Sequence, residues 1–173
     1  MKLSAPTARV FVPLFAGIFL SDCASKRVAV DQLSPPYVPH DIVGDVLRFT
    51  LAYNKSSAMG LLSAGAHSRW ILAALATVLL VTIAVWLRRT ESKDPVLLGG
   101  IALVAAGALG NLVDRLRWDR GVVDFIDIGL GNTRFYIFNV ADMAITFGAI
   151  VLWFAMRDSR QAQLARHRES PDA

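Results

Sequence analysis

Asp142 stands in "FYIFNVADMAITFGAIVLWFAM" (135–156), a stretch otherwise apolar enough to cross a bilayer, with Asn139 three residues before it. Asp124 stands in "GVVDFIDIG", among β-branched residues. An ionisable group at membrane depth is expensive and by default functional. Two carboxylates that share a site cannot both ionise cheaply, so one pKa rises and the pair holds a proton between them. Such a dyad can take a proton from water as the water attacks a carbonyl, then return one to the leaving amine. It requires neither a metal nor a nucleophilic side chain. The plainer alternative makes Asp142 one half of a structural ion pair with Arg115 or Lys26. Asp127, in the same run as Asp124, reads as a solvated strand residue.

Other polar residues interrupt apolar runs at helical spacing. Asp22 and Lys26 are four apart in "FLSDCASK", which favours a structural salt bridge. Asn111, Asp114 and Arg115 in "GNLVDR" share a helix face, as do Asn139 and Asp142. Asp114 and Arg115 are adjacent and do not face each other, and Arg115 is long enough to snorkel toward headgroups. Asp114 either helps Asn111 and Asn139 orient the dyad or touches substrate directly. His40, His67 and His167 are scattered without metal-ligand spacing, so no metal and no cofactor is expected. The lone Cys23 cannot form an internal disulfide. "FLSDC" is not expected to be a cleavable lipoprotein leader, because Asp22 occupies the place of a small residue and three more spans follow.

The elements that must position these groups are membrane helices. Of 173 residues, 54% are hydrophobic and 18% charged, and the mean hydropathy is +0.46. Four stretches approach the ~20 residues needed to span a bilayer as a helix: about 10–30, 70–87 with a tryptophan at each end, 96–116, and 135–156. The net charge of +4 comes largely from residues flanking these spans, which points to topology rather than nucleic acid. Lys2 and Arg9, the "RRTESKDP" link, and the 157–173 tail with Arg157, Arg160, Arg166 and Arg168 are expected on the cytoplasmic side. Connections 31–69 and 117–134 then face outward, and both termini are cytoplasmic. Residues 1–156 read as one four-helix domain, followed by a basic, mobile tail.

The outer connections carry strand signals. In "DVLRFTLAYN", Leu47, Phe49, Leu51 and Tyr53 alternate with more polar neighbours, which predicts a half-buried strand. "GVVDFIDIG" predicts a second, and "LSPPYVP" a turn region. The expected fold class is an all-α membrane protein of four transmembrane helices with a small extracytoplasmic β-rich element. On this topology Asp22, Lys26, Asn111, Asp114, Arg115, Asn139 and Asp142 converge on the outer third of the bilayer, with Asp142 roughly 10 Å inside the start of its span. Ala102, Ala106 and Gly110, four apart, either let helices approach closely or reflect only an alanine-rich span with no special packing.

"GNLVDR" (Gly110–Arg115), "VVDF" (Val122–Phe125) and "FNVAD" (Phe138–Asp142), in that order and with Asp22, Lys26 and Asn54, resemble the lipoprotein signal peptidases, or signal peptidase II. The resemblance runs from about Val10 to Met156. It implies an aspartyl protease of the bacterial inner membrane. Such an enzyme removes signal peptides from prolipoproteins, cutting on the N-terminal side of a diacylglyceryl-modified cysteine near the outer leaflet. Asp124 and Asp142 would be the catalytic dyad, and Asn54, Asn111, Arg115 and Asn139 would line the substrate site or hold the substrate's main chain. Lipid-modified prolipoproteins and membrane phospholipid are the implied partners, and the chain is expected to act as a monomer. One stretch departs from the family pattern: "NKSSAMG" has Ser56, Ser57 and Met59 where glycine, alanine and phenylalanine are usual. Rival readings are a proton-coupled transporter using buried aspartates, which favours acids spread through the membrane's depth, and an inactive binder of lipidated peptides.

Overall fold

The computed structural model describes residues 5–55, 67–90 and 92–169; Ser56, Ser57 and Met59 lie outside the described residues. Four helices, α1 (Ala5–Gln32), α2 (Ser68–Arg89), α3 (Pro95–Arg117) and α4 (Val140–Glu169), enclose the chain's apolar bulk. Each is long and apolar enough to cross a membrane. Four strands, β1 (Pro39–Val43), β2 (Leu47–Asn54), β3 (Val122–Leu130) and β4 (Thr133–Arg134), form one antiparallel sheet in the order β1-β2-β3-β4.

Local chemistry explains the helix starts. Asp94 caps α3, its Oδ1 accepting from Val96 N at 2.9 Å and Leu97 N at 3.3 Å. Pro95 takes the first helical position, where its missing N–H would be unpaired anyway. At the other end of α3, the Arg69 guanidinium donates to the carbonyls of Arg115 and Leu116 and pairs with Asp119. A cation there offsets the partial negative charge of the helix terminus.

The central helix is α3, packed along both α1 and α4. Small residues allow it. Ala102, Ala106 and Gly110 are all buried, and Gly107 lies so close to α4 that a Cβ there would stand 2.3 Å from the Ala141 carbonyl oxygen. The apolar core gathers Phe11, Leu87, Leu98, Ala102 and Ala105 at the end of the bundle away from the sheet.

The fourth helix differs from the sequence expectation. It begins at Val140 rather than Phe135. Residues 135–138 are extended and run along β3, where Phe138 N donates to Ile126 O at 3.0 Å and Phe138 O accepts from Ile126 N at 2.8 Å. Asp142 therefore lies in the first turn, about 3 Å along the axis from Val140 rather than 10 Å deep. Beyond the expected span the backbone stays helical to Glu169, through most of the stretch expected to be a mobile tail. Strand β2 also departs from clean alternation, since Thr50 and Leu51 are both buried. The strands β1 and β4 were not apparent from the sequence.

Asp127 is not solvated. It is 6% exposed and accepts from Thr50 Oγ1 at 3.1 Å and Arg134 Nε at 2.7 Å. Arg134 also donates to Asp45 O at 2.7 Å. This knot clamps β2, β3 and β4 together, and the burial of its carboxylate requires that pairing.

Candidate active site

Register brings Asp124 to the end of the bundle. Its partner across the ladder is Ala52, and Val122 faces Asn54. The Asn54 side chain reaches across so that Nδ2 donates to Asp124 Oδ2 at 3.0 Å. The turn before β3 passes tightly over this strand end. Gly121 has φ +93°, and a Cβ there would stand 2.3 Å from the Asn54 carbonyl oxygen. Only glycine combines that conformation with that approach.

Asn139 joins the sheet to the helix. Its Nδ2 donates to Asp124 Oδ1 at 2.6 Å and also lies 3.2 Å from both Val123 O and Asn111 Oδ1. Its Oδ1 accepts from Asp142 N at 2.9 Å, while Asn139 N donates to Asp142 Oδ2 at 3.3 Å. This reciprocal pattern is a capping box made by Asn and Asp. The remaining carboxylate oxygen, Asp142 Oδ1, accepts from Asn111 Nδ2 at 2.7 Å. Asn111 and Asn139 thus hold the two carboxylates at the junction of α3, β3 and α4. Among the described residues no ion pair reaches Asp142; neither Arg115 nor Lys26 pairs with it.

Lys26 is engaged elsewhere, and more widely than a helical pair with Asp22 requires. Its Nζ lies 2.8 Å from Asp22 Oδ2, 3.0 Å from Asp114 Oδ2 and 3.0 Å from Asn111 Oδ1. Asp22 Oδ1 in turn accepts from Ala141 N at 2.9 Å, so α1 supplies a partner for an N–H that the first turn of α4 leaves open. Asp114 Oδ2 accepts from Val123 N at 3.2 Å. Asp114 therefore turns toward Lys26 and the strand that carries Asp124, not into open space. A chain segment 85 residues away in sequence is beyond any pattern that local spacing reveals.

Burial decides the protonation of Asp124. At 2% exposure the carboxylate loses its hydration, and this raises its pKa to about 7, helped by the neighbouring negative charge of Asp142. Hydrogen bonds from Asn54 and Asn139 and the charge of Lys26 oppose the rise without cancelling it. Asp124 therefore holds its proton well above the usual carboxylate range, up to near neutrality.

A cavity of about 1440 Å³ opens beside this pair. Leu72, Leu75 and Leu79 of α2 form one wall, Met143 and Phe147 of α4 another, and Asn54, Asp124 and Asp142 the polar end. The Arg115 guanidinium folds back to donate to Asn111 O at 3.1 Å and lines the same space. Lys55 and Arg120 also line it. Neither was singled out from the sequence, where each looks like an ordinary surface cation beside a turn.

The fold and site define a four-helix membrane protein in which two carboxylates, Asp124 and Asp142, are coupled through asparagines beside a cavity. The family model described as signal peptidase (SPase) II matches residues 14–157. A lipoprotein signal peptidase of Pseudomonas syringae pv. tomato is 40% identical over 144 residues, 78% of this chain and 83% of that one. One from Pseudoalteromonas translucida is 36% identical over 154 residues, 88% and 91% of the two chains. Two solved bacterial membrane enzymes share the fold. One has TM-score 0.76 at 24% identity, over 86% of this chain and 88% of that chain. The other has TM-score 0.72 at 26% identity, over 84% and 90%. The chain belongs to the signal peptidase II family, which are aspartic proteases, and it is a multi-pass protein of the bacterial inner membrane.

Proposed function

We propose that this chain removes signal peptides from prolipoproteins. It cuts on the N-terminal side of a diacylglyceryl-modified cysteine with water activated between Asp124 and Asp142. The observation that carries the mechanism is the Asn139 bridge, which sets both carboxylates against one cavity. Asp142 takes a proton from water as the water oxygen bonds to the scissile carbonyl carbon, and Asp124 gives its proton to the carbonyl oxygen. When the C–N bond breaks, the leaving nitrogen receives the proton from Asp142 and the diol returns one to Asp124. One water is consumed and the dyad is restored.

The shape of the cavity suits this substrate. Its α2 and α4 walls are apolar and its end at the sheet is polar, so acyl chains and signal helix would lie between the walls with the scissile bond at the carboxylates. Arg88, Arg89 and Lys93 at one end of the bundle favour the cytoplasm there, which supports cytoplasmic termini and a site near the outer leaflet. The chain is proposed to work as a monomer among phospholipids, with its basic residues flanking the spans for topology rather than for nucleic acid. A relay through the membrane would need acids along its depth, whereas Asp22, Asp114, Asp124 and Asp142 gather at one end.

The test is cleavage of a purified diacylglyceryl-modified prolipoprotein by the wild type and by Asp124→Asn and Asp142→Asn. Cleavage by the wild type alone is the expected result. A wild type that binds without cutting, or a variant that still cuts, overturns the reading.

A further inference from the structure

Arg120 is held in an unusual way at the rim of the cavity. Its guanidinium carbon lies 4.5 Å from the centroid of the Tyr53 ring and 4.7 Å from that of Trp118. Contacts to two aromatic rings limit the freedom of a long side chain and attract its positive charge. The position is enforced from below, because the Trp118–Gly121 turn closes through a hydrogen bond from Gly121 N to Trp118 O at 3.2 Å and Gly121 presses on Asn54. Yet Arg120 Nε is buried and finds no acceptor among the described residues. A buried donor left unpaired is costly, and a guanidinium fork matches a carboxylate in particular.

Arg120 lies three residues past the end of α3. It sits between α3 and β3, beside the strand residue that precedes Asn54, and it lines the same cavity as Asn54 and Asp124. The apolar end of that cavity suits the signal peptide. The end at the sheet is where the polypeptide following the modified cysteine must run, at about 3.3 Å per residue when extended.

We propose that Arg120 is a specificity-determining residue that takes an acidic side chain from the first two residues following the lipid-modified cysteine of the substrate. This rests on the peptidase reading above. A carboxylate in the cavity pairs with the guanidinium that lines it and keeps the aromatic contacts intact. A phospholipid phosphate has similar chemistry, and the anionic-lipid arm of the experiment separates it from a peptide carboxylate.

The experiment uses the full chain in nanodiscs and diacylglyceryl-modified peptides that carry Asp, Asn or Lys at both positions after the cysteine. The expected wild-type kcat/KM is about tenfold higher for the Asp peptide than for the Lys peptide, the scale of one charge-assisted contact, with the difference in KM. In Arg120→Gln this ratio falls to about one, and in Arg120→Glu it inverts. Arg120→Lys keeps a reduced preference. A ratio that survives Arg120→Gln overturns the proposal, as does equal loss of all peptides, which marks a structural role. A preference that follows the nanodisc content of anionic lipid rather than peptide charge also overturns it. If no peptide is cut, the peptidase reading fails instead.

Discussion

Asn139 and Asp142 cap each other: Asp142 N donates to Asn139 Oδ1 at 2.9 Å, and Asn139 N donates to Asp142 Oδ2 at 3.3 Å. The same asparagine holds Asp124 at 2.6 Å, so the start of α4 and the alignment of the carboxylate pair are one feature. Asn139→Ala should cost ~1 kcal/mol for the cap and a further ~1–3 kcal/mol for partners left unsatisfied. Cleavage should fall well beyond what the loss of folded protein explains. Comparing thermal unfolding with kcat on the folded fraction separates the two, and full activity in stable Asn139→Ala would refute the bridge.

Protonation of Asp124 should shape the pH profile. Its pKa is raised from 3.8 to about 7, so between these values the folded state holds a proton that the unfolded chain has released. The stability this contributes is fully present below about 4 and is lost as pH rises to about 7. The unfolding midpoint of the wild type should fall relative to Asp124→Asn across that window. Over the same range kcat/KM should decline as pH passes about 7, because the shared proton leaves. Parallel midpoints, or activity that climbs through pH 8, would contradict the assignment.

Part of the rise at Asp124 comes from Asp142. In Asp142→Asn the Asp124 carboxyl should titrate below about 7 yet remain above 3.8, since burial persists. Infrared or carbon-13 measurement of labelled aspartate reads this directly. An unchanged value would mean that the two groups are not electrostatically coupled.

Lys26 sits among Asp22, Asp114 and Asn111 with its side chain 5% exposed. Lys26→Met strands two buried acids and should destabilise the fold by ~3–5 kcal/mol, seen as a lower unfolding midpoint in detergent. Little change would show that the acids reach water.

Gly107→Ala places a Cβ 2.3 Å from Ala141 O and 2.8 Å from Ile145 Cγ1. The helices must separate, at ~1–3 kcal/mol, and Asp142 moves away from Asn111. Cleavage should fall more than it does in Gly17→Ala, where a Cβ meets nothing within 4 Å.

The four helices and the two longer strands were legible because hydropathy over ~20 residues and β-branched runs are local signals. The start of α4 was not. Phe135 to Phe138 are as apolar as the helix that follows, and pairing with Phe125, Ile126 and Ile128 of β3 holds them extended. Asp127 looked exposed because its partners Thr50 and Arg134 arrive from two other strands. Lys26 announced Asp22 four residues away, but its bonds to Asn111 and Asp114 are tertiary. The polar residues of the site stood out because each interrupts an apolar run. Arg120 did not stand out, since a cation in a turn is common and only the rings of Tyr53 and Trp118 set it apart.

The two apolar walls of the cavity belong to α2 and α4, which barely touch each other, while α2 leans along α3. In a bilayer such a cleft fills with acyl chains. A lipid-modified substrate then swaps one hydrocarbon for another, and that exchange yields almost no hydrophobic gain. Recognition of the right molecule must come from its polar head and peptide backbone. Analogues with altered fatty chains should compete nearly equally, while a change at the amide or the thioether linkage should decide binding.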